Sequence, residues 1–519
     1  MSSTSAEPKQ RGNDEYELSA EGYAKALSSR QVTMIAIGGA IGVGLFMGAG
    51  GRLVSTGPAL IFSYAIAGLL GFFLMRAMGE LIMYRRTSGS FVSYMGEFYG
   101  GKGAYVSGWA YVLNWGMTGI AELIAIGLYI NNLLPSVGWL VSSIIALVLL
   151  TSVNMISVKI FGEFEFWASV FKVFAIVAFL LIGTFLVVTQ ANIAGHTAGI
   201  HNLTAVGGTM IPNGFFAMIL VLSGVVFAYN GIEMIGVTAG EMQDAEKEVP
   251  KAIRAVVIRI LVFYVGSVTL LALLLPSNMY KAGVSPFVSV FERLGWGWVG
   301  TLMTLVVVTA ALSSCNSGLY SIGRVFRQMA HNGHAPQWLT RMSARHVPYA
   351  SILAIAVFYL LGILLAFVVT GGKGEGSTAF DLALETASVG VLLSWAAIFL
   401  SQIALRRRYG KASKLPMPGG APASVVSLIA IAGILVLITF NTTKLDDGTV
   451  FPMGLFTVAS LPVFLILLAI GWVFVRKAYP ERQQQEWYDR QARIEHESVI
   501  EHAEHQGHGD AASGHTSTV

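Results

Sequence analysis

Two stretches of the sequence combine apolar residues with glycines and polar groups suited to binding a small ligand. The first, IAIGGAIGVGLFMGAG at residues 35–50, contains six glycines, and each glycine weakens a helix by roughly 1 kcal/mol relative to alanine. The second, GVVFAYNGIEMIGVTAGE, places Asn230, Gly231 and Glu233 in an otherwise apolar run. Polar groups in the middle of a membrane are costly unless they have partners. We therefore predict that both stretches interrupt their helices at a binding site.

Two interrupted helices suit a zwitterion. A half-helix that begins near Gly44 exposes unpaired N–H groups and a partial positive charge, which favour a carboxylate. Carbonyls freed at each break accept hydrogen bonds from an ammonium group. For the first stretch alone, close helix packing explains the glycines equally well, since Gly38 and Gly42 have the spacing of small residues at helix contacts. The second interruption favours a binding site between paired broken helices, as in transporters built from inverted repeats.

Glu122 is the first candidate for coupling to protons. It follows Asn114 and Thr118 at spacings of four, so the three side chains share one helix face. That face must look inward, because polar groups avoid lipid. Burial disfavours the charged form of a carboxyl, which lets it exchange a proton during a transport cycle. The alternative is a structural hydrogen bond that orders the helix packing.

Other ionisable residues lie within or beside apolar runs. Lys172 either has an internal partner or extends to the membrane interface. Glu233 and Glu241 are eight residues apart and share a helix face, which makes them candidates for pathway and gate carboxylates, although a salt bridge suits Glu241 equally well. Arg76 and Glu80, four residues apart, are expected to form an interfacial ion pair.

Twelve apolar runs must position these residues. The chain of 519 residues is 54% hydrophobic and only 12% charged, whereas a soluble chain carries about 25% charged residues. A bilayer core of roughly 30 Å needs about 20 apolar residues per helix. The predicted spans are 32–50, 57–78, 104–134, 139–158, 164–188, 214–239, 252–275, 298–325, 349–369, 379–400, 423–440 and 455–475.

The distribution of basic residues predicts the orientation, because cytoplasmic loops retain lysine and arginine. The loop 189–213 has no basic residue, whereas 406–414 contains five. We therefore predict a multi-pass protein of the cytoplasmic membrane with both termini inside the cell. This retention explains the net charge of +4, so no nucleic-acid partner is expected. The irregularly spaced histidines after residue 495 predict a solvated tail rather than a metal site.

A series of motifs extends from residue 30 to the last span. They are RQVTMIAIGGAIGVGLF, RAMGEL, TSGSFVSY, FGEFEFW followed by Lys172, FAYNGIEMIGVTAGE, VPKAI, SSCNSGLY and RHVPYA. In these motifs the sequence resembles the amino acid permeases of the amino acid-polyamine-organocation superfamily, in particular the amino acid transporter family. The resemblance is closest to the asparagine branch, and the branches for D-serine, D-alanine and glycine come next.

The resemblance implies an all-α membrane protein of the leucine-transporter type, with twelve transmembrane helices. Two inverted repeats of five helices are followed by two peripheral helices. The corresponding division is a cytoplasmic tail at 1–31, the first repeat at 32–188, the second at 214–402, spans 11 and 12 at 423–475, and a disordered cytoplasmic tail at 476–519. The implied function is proton-coupled uptake of a small neutral amino acid, with L-asparagine the best candidate, by alternating access. Uptake of D-serine, D-alanine or glycine, or amino acid exchange, are the alternatives.

The family's binding residues fall on the two interrupted spans. The carboxylate cradle corresponds to Gly42, Val43 and Gly44, and the ammonium-binding carbonyls to Ala40, Phe227 and Asn230. Val43 replaces a threonine or serine of many relatives, which leaves backbone N–H groups alone. The complete predicted substrate site is Ala40, Gly42, Val43, Gly44, Thr118, Phe227, Tyr229, Asn230 and Gly231.

The resemblance also implies a role for Lys172. Its amine is expected where sodium-coupled members of the wider fold hold a cation, against carbonyls near Gly38 or Gly39 and the hydroxyls of Ser313 or Ser314. The predicted coupling and pathway residues are therefore Glu122, Lys172, Glu233, Ser314 and Glu241.

The chain lacks the sequence motifs that are typical of the other functional classes. No GxxxxGK[ST] loop, HExxH motif or nucleophile elbow occurs in the chain, so neither an ATPase subunit nor an enzymatic activity is expected. We predict no cofactor and no metal. The expected partners are an amino acid, a proton and the lipid bilayer, and the expected state is a monomer or a weak oligomer.

Overall fold

The computed structural model describes residues 27–478, apart from 36–37, 39–40, 88, 240–241, 243–244, 371–375, 412–414 and 445–449. Ala40, Glu241, most of the predicted N-terminal tail and the histidine-containing tail lie outside the described residues. Within the described part, eleven helical stretches are long and apolar enough to cross a membrane. One of them, Gly48–Tyr84, joins the end of span 1 to all of span 2, so these stretches account for the twelve predicted spans.

Three spans depart from a continuous α-helix. Span 1 contains Ser29–Met34, Val43–Phe46 and Gly48–Thr56. Span 6 contains Gly214–Leu220, Leu222–Phe227, the 3₁₀ helix Ile232–Met234 and the short helix Ile235–Thr238. Span 7 contains Ala245–Ile258, the π-helix Arg259–Gly266 and Ser267–Leu274.

Each of the other spans lies within one helical segment. Spans 2 to 5 are Leu60–Tyr84, Ser90–Leu133, Trp139–Ile156 and Val158–Val188. Spans 8 to 12 are Gly297–His331, Tyr349–Val369, Gly376–Tyr409, Gly420–Ile438 and Met453–Ala478.

Short elements connect the spans. The α-helix Pro286–Arg293 precedes span 8, and the 3₁₀ helices are Gly57–Ala59, Ile200–Leu203, Ser277–Met279 and Gln337–Thr340. Two antiparallel hairpins pair Asn192–Ile193 with His196–Thr197 and Thr443–Lys444 with Val450–Phe451.

Spans 3 and 10 form the centre of the protein. In each, 78% of the most apolar stretch is buried inside the protein, compared with 28% in span 11 and 6% in span 12. Glycine permits the close approach, since a Cβ atom on Gly390 of span 10 would lie 2.4 Å from the backbone nitrogen of Asn114 in span 3. The expected peripheral position of spans 11 and 12 is confirmed.

A separate helix leads into span 3. The segment Ser90–Leu133 is divided at Gly100, whose φ of 72° and ψ of −172° are non-helical, so the part that corresponds to span 3 begins after it, close to the predicted residue 104. The prediction began at residue 104 because the preceding segment is polar. Arg85 and Glu97 stabilise that segment with a buried ion pair of 2.9 Å, so its helix needs no apolar sequence.

The predicted ion pair between Arg76 and Glu80 is wrong. Glu80 is fully buried and pairs with Arg406, while Arg76 donates to the Pro416 carbonyl at 2.6 Å. The helix of span 10 continues to Tyr409, beyond its predicted end, and this extension brings Arg406 to Glu80. The span was predicted from its run of apolar residues, and such a run does not include the charged end of a helix.

The contact between spans 3 and 10 predicts opposite effects for two glycine substitutions. Gly390→Ala is expected to lower the free energy of unfolding by about 1–3 kcal/mol, because its methyl group meets backbone that cannot rotate away. Gly433→Ala in span 11 meets no atom within 4 Å and should stabilise the helix by up to about 1 kcal/mol. Thermal unfolding of the purified variants checks this, and shifts in the same direction would contradict the packing.

Candidate functional site

Span 1 is interrupted at Ile41 and Gly42, which precede the helix that begins at Val43. The Ile41 N–H donates to the Gly38 carbonyl at 3.0 Å, and Gly42 is extended, with φ −115° and ψ −161°. A new helix begins at Val43 without a side-chain cap from Gly42, so its first N–H groups have no partner within their own helix. The predicted interruption of span 1 is confirmed.

Span 6 is interrupted by successive 3₁₀ turns. The N–H groups of Ala228, Tyr229 and Asn230 each donate to the carbonyl three residues earlier, at 3.0, 2.9 and 3.0 Å. Gly231 then adopts a φ of +90°, which favours glycine. Its N–H is held by the side-chain oxygens of Asn230, at 3.0 Å, and Glu233, at 3.1 Å. The second predicted interruption is therefore also confirmed.

The two interrupted spans touch at Gly44. A Cβ atom there would lie 2.7 Å from the Cα atom of Ala228 and 2.9 Å from the ring of Phe227. Only glycine allows this backbone approach, so Gly44 joins the start of the second half of span 1 to the 3₁₀ turns of span 6.

The Glu122 carboxyl lies at the start of that second half. It faces the Val43 N–H and the Ser314 hydroxyl, and the residue is 1% exposed. A Cβ atom on Gly42 would lie 2.6 Å from Glu122 Oε1 and 3.1 Å from Ser314 Oγ. The carboxyl therefore occupies the space beside Gly42, where the sequence predicts the carboxylate of a ligand.

Three buried polar side chains form what we call the amide cluster, Asn114, Thr118 and Asn230. Asn114 Nδ2 donates to Asn230 Oδ1 at 3.1 Å, and Asn230 Nδ2 donates to Thr118 Oγ1 at 3.0 Å. The Thr118 hydroxyl donates to Asn114 Oδ1 at 3.3 Å and closes the ring. The cluster joins span 3 to the break in span 6 and presents amide donors and acceptors in the interior of the membrane.

Two residues of the predicted substrate site have other partners. The Phe227 carbonyl accepts the Asn230 N–H, so it belongs to a 3₁₀ turn. The Tyr229 hydroxyl donates to the Tyr64 carbonyl at 2.8 Å, and its ring stacks on Tyr264 with centroids 4.6 Å apart. Because successive residues of a 3₁₀ turn point about 120° apart, Tyr229 faces spans 2 and 7 while Asn230 faces span 3.

Lys172 is fully buried and lies against the break in span 1. Its ammonium donates to the carbonyls of Gly38 and Ile41, the latter at 3.2 Å, and to the Ser313 hydroxyl at 2.9 Å. These contacts are internal, so the side chain does not extend to the membrane interface. The ammonium satisfies carbonyls that the interrupted helix leaves without N–H partners.

Glu165 is a buried carboxylate that the sequence analysis missed. The Ser313 hydroxyl donates to Glu165 Oε2 at 2.6 Å and accepts from Lys172 on its other side. Asn316 donates to Glu165 Oε1 at 2.7 Å and accepts from Asn154 at 2.6 Å. Glu165 and Lys172 are seven residues apart, which places opposite charges on one helix face; this spacing was the available signal.

Glu233 belongs to the break in span 6. The indole groups of Trp115 and Trp395 face its carboxyl, and the residue is fully buried. The 3₁₀ turn at Ile232–Met234 means that the spacing between Glu233 and Glu241 does not define one α-helical face. Glu241 itself lies outside the described residues.

Arg259 is a further buried cation that the sequence analysis did not single out. It begins the π-helix of span 7, is 1% exposed, and lies 5.9 Å from the centre of the Tyr264 ring. π-Helical turns occur frequently at functional sites. It lies in the first half of the predicted span, in a mostly apolar sequence.

Comparison with known proteins identifies the family. The model of the amino acid permease family matches residues 31–484. The chain belongs to this family. The permease is 47% identical to the L-asparagine permease of Escherichia coli (strain K12) over 467 residues, which cover 89% of this chain and 90% of that protein. It is 44% identical to the L-asparagine permease of Streptomyces coelicolor over 487 residues, 93% of this chain and 96% of that protein.

Further relatives include L-asparagine permease 1 of Mycobacterium tuberculosis (strain ATCC 25618 / H37Rv), which is 44% identical over 463 residues. Membership makes the permease a multi-pass membrane protein that transports an amino acid, and its relatives are named as transporters rather than enzymes. The predicted all-α fold with twelve transmembrane helices, of the leucine-transporter type, is confirmed.

The network around Lys172 predicts a large loss of stability for Glu165→Gln. Removing the carboxylate that balances a buried ammonium leaves an uncompensated charge, and breaking a buried pair in this way costs about 3–5 kcal/mol. Glu163→Gln is the matched control, because that side chain is 34% exposed in its pair with Arg30 and such a pair contributes about 1 kcal/mol or less. Unfolding midpoints of both purified variants check this. Equal unfolding midpoints for the two variants would show that the Glu165 carboxylate does not balance the charge of the Lys172 ammonium.

Proposed function

We propose that this permease takes up L-asparagine together with a proton by alternating access. The single observation that carries the coupling is the position of the Glu122 carboxyl beside Gly42 and Val43. The N–H groups at this helix start would hold the carboxylate of the substrate. Two negative charges about 4 Å apart repel each other by about 4 kcal/mol at an effective dielectric constant of 20. Protonation of Glu122 removes this repulsion, so substrate and proton bind together.

The proton gradient supplies the driving force in this mechanism. One charge that crosses a membrane potential of 100 mV contributes about 2.3 kcal/mol. Lys172 already places a fixed ammonium against the break in span 1, which leaves no need for a sodium ion there. Glu122 is therefore the proton carrier, and Ser314 and Glu233 belong to the pathway around it.

The amide cluster supports asparagine as the substrate. A carboxamide has both donors and acceptors, and Asn114, Thr118 and Asn230 offer the complementary groups. Several relatives at 44–47% identity are named L-asparagine permeases. The backbone groups at Gly42 and Val43 then bind the carboxylate common to all amino acids, and the cluster selects the side chain.

The remaining assignments complete the proposal. The repeats at 32–188 and 214–402 move relative to each other around the site, and spans 11 and 12 at 423–475 stay outside them. The basic segment 406–414 and both termini face the cytoplasm, so the inward half of span 1 lies at Ser29–Met34. The permease works as a monomer or in a weak oligomer within the cell membrane.

Glu122→Gln is expected to abolish uphill accumulation of asparagine and to preserve part of the counterflow. A glutamine keeps the shape of the side chain and cannot carry a proton. Uptake of radiolabelled asparagine into proteoliposomes under an imposed proton gradient measures accumulation, and exchange without a gradient measures counterflow. Glu292→Gln is the control, because Glu292 is exposed beyond the membrane-spanning segments. Intact accumulation by Glu122→Gln would refute the coupling assignment.

Selectivity tests the role of the amide cluster. Asn114→Ala should raise the KM for asparagine about tenfold or more, because it leaves polar partners unpaired, with a smaller effect on any uptake of glycine. Asn202→Ala is the matched control, since Asn202 is also buried but binds the carbonyls of Thr197 and Leu273, outside the amide cluster. Competition of asparagine uptake by D-serine, D-alanine and glycine provides the readout. If one of these amino acids inhibits uptake more strongly than unlabelled asparagine does, that amino acid is the preferred substrate and the assignment to asparagine is wrong.

A further inference from the structure

The π-helix of span 7, Arg259–Gly266, begins with a buried arginine that the proposed transport mechanism does not use. A charged side chain inside the membrane is costly, so its presence there points to a function. Arg259 and Tyr264 are five residues apart, which would place them about 140° apart around an α-helix. A π-helix has i→i+5 hydrogen bonds and therefore brings residues at this spacing onto the same side.

Three side chains form what we call the ring stack, Arg259, Tyr264 and Tyr229. The guanidinium carbon of Arg259 lies 5.9 Å from the centre of the Tyr264 ring, within the roughly 6 Å reach of a cation–π interaction. The Tyr264 ring lies on the Tyr229 ring, with centroids 4.6 Å apart and planes inclined by 17°. Both rings are fully buried, and a cation–π interaction is stronger where water is excluded. The ring stack thus joins the π-helix of span 7 to the break in span 6.

Span 2 holds the ring stack from a third side. The Tyr229 hydroxyl donates to the Tyr64 carbonyl at 2.8 Å. A Cβ atom on Gly68 would lie 2.4 Å from the side chain of Ile260 and 3.0 Å from the Tyr229 hydroxyl oxygen, so glycine lets span 2 approach both spans at once. The Tyr229 side chain is therefore held at its ring face by Tyr264 and at its hydroxyl by span 2. It cannot rotate without breaking one of these contacts.

The direction of Tyr229 also determines the direction of its neighbour, Asn230. The two residues follow each other in the 3₁₀ turns of span 6, where their N–H groups donate to carbonyls three residues earlier. Successive residues of such a turn point about 120° apart, so a Tyr229 side chain held against spans 2 and 7 directs Asn230 toward span 3. There Asn230 binds Asn114 at 3.1 Å and Thr118 at 3.0 Å. Rotation of the turn would open the amide cluster.

We propose that Arg259 is a positioning residue for substrate selection, which acts through Tyr264 and Tyr229 to direct Asn230 into the amide cluster. The inference rests on the proposed recognition of the asparagine side chain by that cluster. Without the guanidinium the Tyr264 ring is held less firmly, and the 3₁₀ turn gains freedom to rotate. The backbone groups that bind the substrate carboxylate lie on span 1, outside the ring stack, so the loss falls on recognition of the side chain.

A double-mutant cycle tests the proposal by uptake of radiolabelled asparagine into proteoliposomes. Arg259→Met removes the charge and should raise the KM for asparagine about tenfold, with kcat changed less than about twofold. In the Asn114→Ala background, where the amide cluster is already open, it should raise KM less than about twofold, because substitutions in one network are not additive. A merely structural loss would have the same effect in both backgrounds. Arg259→Lys keeps a cation and should return KM to within about threefold of wild type.

Arg324→Met is the matched control. Arg324 is also buried and lies over a tyrosine ring, 3.4 Å from the centre of Tyr320, but both belong to span 8. Its substitution should leave the KM for asparagine unchanged even where it lowers stability. Tyr264→Leu removes the ring and should reproduce the rise in KM, whereas Tyr264→Phe keeps the ring and should behave as wild type. These two variants decide the question if Arg259→Met does not fold.

Two results would overturn the positioning role and leave the uptake mechanism intact. One is an unchanged KM in Arg259→Met and Tyr264→Leu. The other is an equal rise in KM with and without Asn114→Ala, which would separate the ring stack from the amide cluster. Wild-type permease that does not take up asparagine would overturn the proposed function, and this inference with it.

Discussion

The need to satisfy peptide groups at mid-membrane governs this structure. Spans 1 and 6 lose their regular hydrogen bonds where no bulk water replaces them, so side chains from other spans must take over. Lys172 binds the carbonyls of Gly38 and Ile41, and the oxygens of Asn230 and Glu233 bind the Gly231 N–H. Each break is thereby stabilised by polar side chains, and these side chains also surround the proposed substrate site.

Charge balance inside the membrane follows from the same requirement. A lysine buried for its hydrogen bonds needs a negative partner, and Glu165 provides it through Ser313. Glu122 differs, because it faces the N–H of Val43 and has no direct ion pair among the described residues. One carboxylate is therefore linked to a buried cation, and the other has no such link among the described residues. This division separates the structural acid from the acid that we propose to carry a proton.

Much of the fold could be predicted because its signals are local in sequence. Glycine density and the Asn230–Gly231 pair marked both breaks, and the four-residue spacing placed Asn114, Thr118 and Glu122 on one face. The features that the sequence analysis missed depend on contacts between spans, which the periodicity of the sequence does not indicate. The 3₁₀ turns of span 6 rotate Tyr229 away from Asn230. Arg406 reaches Glu80 only because span 10 continues past its apolar part, and Glu165 needed its partners on span 8 to be recognised.

The contact at Gly44 links the outer half of span 1 to the break in span 6. The Gly44 carbonyl accepts from Arg52 on the outer side, while its Cα packs on Ala228 at the break of span 6. Any movement that separates the two spans must therefore also move the Arg52 guanidinium. A ligand shifts a conformational equilibrium only through its different affinity for the two states, so a substrate at the break must bind one position of Gly44 more tightly than the other.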